Sequence, residues 1–260
     1  MTFKSKNTKH LYIIFVTTLT LFSVVSCKTK KYNNYLVEGK KIEVASKQAS
    51  NESIETYITP YREHINKDLD SIISFTNETL DKSQGEWQSN IGNLMADACM
   101  EFATPVFIKQ QNKQIDIVLL NSGGIRSIIP KGTITKRNAF EVMPFENNLI
   151  VVALKGEEIM ALAKYIIKEK KPHPLHGLKI FLDKENTITR VLFENKAIEN
   201  NRIYYVATSD YLANGGDNMS FFLKNEGTFD LNYKIRNVLI DYFYKYKTIE
   251  VSNVDRIIKE

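Results

Sequence analysis

Histidine and cysteine are scarce in this chain, four of one and two of the other in 260 residues. A hydrolytic centre built on two metal ions needs a clamp of several His, Asp and Asn ligands. The four histidines do not assemble one: His10 lies near the N-terminus, His64 stands alone on a predicted helix, and His173 and His176 flank Pro174 in what reads as a polar surface turn. No Gly-x-Ser-x-Gly elbow or other assembled nucleophile and base is present. Cys27 and Cys99 allow one disulfide at most, so the fold cannot rest on a cystine framework. Internal repeats and low-complexity blocks are missing, as is a basic stripe interleaved with aromatics, which argues against nucleic acid as a partner.

What the chain does have begins at its N-terminus. Lys4, Lys6 and Lys9 precede an apolar stretch from Leu11 to Val25, and Val24-Val-Ser-Cys27 follows. A basic start, a short apolar region and a small residue before a cut describe a secretory signal, here residues 1–26. The cysteine at the cut resembles a bacterial lipobox, which predicts lipidation at Cys27 and a place in the bacterial cell envelope, periplasm-facing or at the surface. Acyl chains contribute about 0.8 kcal/mol per buried methylene, so several on one cysteine anchor a protein durably. Cys99 is then left without an intramolecular partner and reads as a small buried hydrophobe. Losing the three signal lysines brings the net charge from +5 to +2. Residues 27–55 read as a lipid-anchored polar linker and 56–260 as one folded domain.

Within that domain, Ile91, Leu94, Met95, Ala98 and Phe102 recur at helical spacing behind a Ser89 or Asn90 cap. Ile159, Leu162, Ala163 and Ile166 form a second stripe, and Ile235, Val238, Leu239, Tyr242 and Tyr246 a third. Strands are predicted over Ile115–Leu120, Leu149–Leu154, Leu178–Leu182, Thr189–Phe193 and Ile203–Thr208, with Asn186 at a hairpin turn. Helices and strands mix without a regular βαβ rhythm. The class is α+β, a single mixed α/β domain.

Three loops follow apolar runs or precede them. Asn121-Ser-Gly-Gly-Ile-Arg126 offers two glycines for close backbone approach, an amide suited to a purine edge at Asn121, and a planar fork for phosphate at Arg126. A Gly-Gly pair also marks an ordinary turn. Met143-Pro-Phe-Glu-Asn147 puts an aromatic on a proline-stiffened turn, where Phe145 could stack on a base or simply plug the core. Ser209-Asp-Tyr-Leu-Ala-Asn-Gly-Gly-Asp217 supplies a second π-face at Tyr211, a tight turn at Gly215 and Gly216, and a carboxylate at Asp217 that suits a vicinal diol; it also fits a polar hairpin loop.

In this order and spacing, Asn-x-Gly-Gly-Ile-Arg, Pro-Phe-x-Asn and Ala-Asn-Gly-Gly-Asp resemble the C-terminal domain of the 5'-nucleotidase / UDP-sugar hydrolase family. Ser89-Asn-Ile-Gly-Asn-Leu-Met-Ala-Asp97 is similar to that family's Asn-x-Gly-Asn-Leu helix, and the resemblance runs from about Ser53 to the C-terminus. It implies a 5'-nucleotidase C-terminal type of fold and a substrate pocket for a nucleotide or nucleoside. The base would lie between Phe145 and Tyr211. Asn121 would read it with Asn147 beside it, Arg126 would bind phosphate, Asp217 would hold the ribose, and Gly123, Gly124, Gly215 and Gly216 would shape the loops. Tyr211 departs from the Phe of the best-known members. So does Lys82-Ser-Gln-Gly-Glu-Trp-Gln88, with Trp87 where a further basic residue would be sought, as core or as pocket wall.

The family's metallophosphatase motifs (Asp-x-His, Gly-Asn-His-Glu/Asp, Gly-His-x-His) do not occur in the chain. No catalytic residue and no cofactor is therefore expected in it. Divalent metal ions are expected only on a separately encoded metallophosphatase subunit acting as its partner. Because leader and linker run straight into the domain, its short length is expected to be native. The alternative is a non-catalytic envelope lipoprotein that captures nucleosides or nucleotides for scavenging; a third reading is a decayed pocket kept as an interaction surface.

Overall fold

The structure, a computed structural model, describes residues 6–24, 38–42 and 50–260. Cys27, most of the expected linker and the end of the leader lie outside the described residues. The chain divides into two compact units, residues 1–51 and 52–260. In the first, helix α1 (Lys6–Val24) exposes Leu11, Ile13, Ile14, Phe15 and Leu19. Its threonines turn their hydroxyls back to backbone carbonyls, Thr17 to Ile13 at 2.7 Å and Thr18 to Ile14 at 2.5 Å. That hides polar groups from an otherwise apolar surface. Among the described residues no helix is long and apolar enough to cross a membrane.

The second unit opens with α2 (Glu52–Leu69), which begins inside the stretch read as linker. Lys136 pairs with Asp68 at its end (2.8 Å), and Arg137 pairs with Asp70 just beyond it (2.6 Å). Then follow β1 (Ile72–Thr76), α3 (Asn90–Gln111), β2 (Ile117–Leu119), β3 (Gly132–Thr135), α4 (Lys136–Val142), β4 (Asn148–Lys155) and α5 (Gly156–Glu169). The chain continues through β5 (Leu175–His176), β6 (Leu178–Leu182), β7 (Ile188–Phe193), β8 (Lys196–Ala197), β9 (Ile203–Ser209), α6 (Asp210–Ala213), β10 (Thr228–Lys234), α7 (Ile235–Lys245) and β11 (Ile257–Lys259).

A five-stranded mixed sheet, in the order β10-β4-β9-β2-β5, divides the core in two. Strand side chains alternate between its faces with period two. Val118, Leu149, Val151 and Ala207 pack with α3 and α7 on one side. Ile117, Leu119, Ile150, Val152, Leu154 and Val206 pack on the other with α5 and the smaller sheet β11-β6-β7-β8. Burial on both faces is why β2 and β4 read as unbroken apolar runs. Ser89 caps α3 by accepting from Gly92 N at 3.2 Å. Asn186, at φ 64°, turns the hairpin between β6 and β7. The observed class is the α+β class predicted.

Cys99 is buried in the α3–α7 layer, and burial pushes its thiol up to about 12, so it is the inert core residue expected. Trp87 is core as well: 7% exposed, it donates Nε1–H to the Ile167 carbonyl at 3.2 Å beneath α5. The polar surface turn expected at His173 and His176 is not one. His173 is 3% exposed with its ring against Tyr165, while His176 is part of β5, paired with β2, and its Nδ1 meets Asp97 at 2.6 Å. The Pro174 carbonyl accepts from Leu120 N (2.9 Å), which draws this segment onto the sheet edge and into the core.

Candidate functional site

Strand directions bring the three loops together. β2 and β9 are parallel, so their C-terminal ends share one edge of the sheet; β4 runs antiparallel to β9, with Leu149 opposite Ser209, so its beginning lies at that same edge. The loops after β2, before β4 and after β9 therefore meet, although 96 residues separate Asn121 from Asp217. They enclose a cavity of about 380 Å³ lined by Asn121, Gly123, Gly124, Arg126, Phe145, Asn147, Tyr211 and Asp217. That size falls within the range that holds a small organic ligand. Gly215 and Gly216 are not on its wall; they border the adjoining hollow under Tyr211.

Leu120, Met143, Ser209 and Ile235 complete the lining; Met143 and Ser209 open two of the loop motifs, whereas Leu120 ends a strand candidate and Ile235 begins a helical stripe, with nothing polar to single them out. Ile235 arrives from α7 and donates its N–H to the Asn147 carbonyl at 3.1 Å.

The two carboxylates of the third loop organise the wall. Asp210 accepts from Asn147 Nδ2 (2.8 Å), Asn148 N (3.0 Å) and Tyr211 N (2.7 Å), tying the Phe145 loop to the end of β9. Asp217 accepts from Asn121 Nδ2 (2.7 Å) on one oxygen and from the Tyr211 hydroxyl (2.9 Å) on the other. An ionised carboxylate only accepts, so both asparagine nitrogens must face these partners. What Asn121 and Asn147 keep for a ligand is chiefly their carbonyl oxygens. The amide of Asn121 lies over the glycine pair: a Cβ at Gly124 would come within 2.9 Å of its Oδ1.

Beneath these loops lie residues the sequence reading missed. Tyr165, on α5, donates its hydroxyl to the Asp217 carbonyl at 2.7 Å; burial pushes that hydroxyl up to about 12, so it stays a donor. His173 Nδ1 accepts from Ser122 N at 3.2 Å, and burial, reinforced by Lys171, pushes the imidazole down to about 4. It is neutral at pH 7, as an acceptor nitrogen requires. Lys82 caps the Gly-Gly turn from outside the cavity, its Nζ on the carbonyls of Ser122 (3.0 Å) and Ile125 (2.6 Å). Burial, then the nearby Arg126, lowers its pKa. Its only sequence signal was membership of the segment searched for arginine.

Phe145 and Tyr211 are 41% and 49% exposed, so each ring offers a face to the cavity or to solvent rather than plugging the core. No ring contact joins them among the described residues. The Arg126 guanidinium stands 5.9 Å from the Phe145 ring centre and reaches the Gly123 carbonyl at 3.4 Å. Among the described residues it has no carboxylate partner. The arrangement combines two open π-faces, a fixed carboxylate, amide acceptors and a cation. It lacks a poised nucleophile, and no group of three or more His, Cys, Asp or Glu suited to a metal ion occurs among the described residues.

Comparison with known proteins gives the same region an identity. The family model "5'-nucleotidase, C-terminal domain" matches residues 69–224. A 5'-nucleotidase of Vibrio parahaemolyticus serotype O3:K6 is 23% identical over 238 residues, covering 89% of this chain and 40% of its own length. Among solved structures, a 5'-nucleotidase precursor from Thermus thermophilus superposes with a TM-score of 0.66 at 25% identity, over 79% of this chain and 42% of its own. The Haemophilus influenzae NAD nucleotidase shares the fold, with a TM-score of 0.59 at 16% identity over 81% of this chain and 42% of its own. The chain thus spans about two fifths of the length of these relatives.

Proposed function

The chain belongs to the family of 5'-nucleotidase C-terminal domains, and from that premise we propose that its cavity binds a nucleoside or nucleotide. The base lies between Phe145 and Tyr211, the ribose on Asp217, and a phosphate points toward Arg126. One observation carries this reading: eight residues from three separate loops, each chosen for nucleotide chemistry, line the same cavity. Base–aromatic stacking is worth roughly 1–3 kcal/mol per base. A micromolar complex needs about 8 kcal/mol, so the amides and Asp217 must supply much of the remainder.

Hydrolysis is the work of another chain in this proposal. The family's metallophosphatase motifs are missing from these 260 residues, and the cavity holds no group poised to attack phosphorus. A separately encoded metallophosphatase, carrying divalent metal ions, would cut the phosphate ester that this domain presents, in nucleotide catabolism. Lipidation of Cys27 would hold the pair at the bacterial envelope. A second reading, capture for scavenging without hydrolysis, is favoured by the phosphate end, where Arg126 stands without the second arginine sought near Trp87 and Trp87 itself is core.

Calorimetric titration of the full chain with AMP, adenosine and uridine tests the pocket. Saturable binding that Phe145→Ala weakens is expected; no binding by the wild type refutes it. Adding the candidate metallophosphatase then separates the two readings, since phosphate release only in the mixture supports the split enzyme.

A further inference from the structure

We propose that the Tyr211 hydroxyl, acting through the Asp217 carboxylate, makes this cavity selective for ribonucleosides whose 2' and 3' hydroxyls are both free. The inference rests on the nucleoside reading above and narrows its substrate class. Tyr211 here is a positioning residue as well as a stacking face.

The ground for it is how firmly Asp217 is held. Its N–H donates to the Tyr211 phenol oxygen at 3.1 Å, and its Oδ1 accepts that phenol's proton at 2.9 Å. Oδ2 accepts from Asn121 Nδ2 at 2.7 Å, and the carbonyl accepts from Tyr165 at 2.7 Å. Donor, carbonyl and both carboxylate oxygens are thus each fixed by a partner. The backbone is also left-handed, at φ 52°, a conformation that costs an L-residue free energy and persists where surroundings over-determine it. The clamp supplies that constraint.

The phenol accepts from the backbone and donates to the side chain of one residue, so its proton has one direction. The ring is set by Gly216: a Cβ there would lie 2.5 Å from Tyr211 ring carbons, which leaves room for hydrogen alone. Each Asp217 oxygen carries one protein donor, whereas an ionised carboxylate accepts about four hydrogen bonds in all. One acceptor position is left on each oxygen, the pair that a vicinal diol engages. With the carboxylate already oriented, the diol gains two charge-assisted bonds without ordering a side chain. Phenylalanine would keep the π-face and lose the orientation.

The test compares adenosine, 2'-deoxyadenosine, 3'-deoxyadenosine and free adenine on the full chain, wild type against Tyr211→Phe. For the wild type, adenosine should bind about tenfold or more tighter than either deoxynucleoside, since 1.4 kcal/mol is tenfold. Tyr211→Phe should shrink that ratio to about threefold or less; because the nucleosides compared share one base, a general change in stacking or packing cancels from the ratio. Asp217→Asn should shrink the ratio likewise. A ratio preserved in Tyr211→Phe overturns the inference, as does a wild type that binds all three nucleosides equally; both leave the nucleoside reading standing. Failure of the wild type to bind any of the four probes overturns both.

Discussion

At one end of the cavity Asp217 is fixed through its N–H, its carbonyl and both carboxylate oxygens. At the other, Arg126 is exposed, with one long contact to a backbone carbonyl and an aromatic face 5.9 Å away. A group locked before binding loses little freedom when the ligand arrives, whereas an exposed guanidinium surrenders side-chain entropy and competes with water and salt. The nucleoside end is therefore preorganised, and the phosphate end contributes a point of attraction. Lys82 adds positive charge near Arg126, but its ammonium is already committed to the turn. The affinity of this chain should follow base and ribose more than phosphate.

The largest effect should fall on what both ends share, the loop resting on His173. Its imidazole is near 4 in the fold and near 6.5 when unfolded. Between those values the unfolded chain binds the extra proton, so stability rises with pH across this window. It is fully present above about pH 6.5 and is lost as pH falls toward 4, by about 3 kcal/mol. Urea unfolding at pH 7, 5.5 and 4 should show that loss, and His173→Gln should flatten it.

The other substitutions act on one end at a time. Gly216→Ala drives a methyl into the Tyr211 ring; loss of stacking and of the Asp217 clamp together should weaken adenosine on the order of 100-fold by calorimetry. Phe145→Ala removes one π-face, and a roughly tenfold weakening should appear equally for adenosine and AMP. Arg126→Gln should leave adenosine unchanged, weaken AMP by about tenfold at low salt, and matter less as ionic strength rises. Equal sensitivity of adenosine and AMP to Arg126→Gln would erase the contrast between the ends.

The parts legible in the sequence are those whose signal is local. Ser89 before an apolar stripe gives the start of α3, Asn186 the hairpin, and the three loop motifs the cavity's polar wall. Pairing is not local: that β2 lies parallel to β9 and so brings Asn121 beside Asp217 is decided by the sheet as a whole. Tyr165 sits beside an ordinary apolar helical stripe, and nothing in that stripe marks its hydroxyl as a support for Asp217. Lys171-Pro-His-Pro-Leu-His176 is polar and proline-rich, so it read as surface; the backbone bond from Leu120 to Pro174 and the ring of Tyr165 bury it. Asn121 and Asn147 were read as amides available to a base, but the carboxylates of Asp217 and Asp210 take their nitrogens.

The most direct measurement is the dissociation constant of adenosine against that of AMP on the wild-type full chain, at physiological ionic strength. Both should bind saturably, with AMP favoured by no more than about tenfold, the worth of one exposed cation. AMP binding hundreds of times tighter than adenosine, or neither binding at all, would contradict a site organised around the nucleoside.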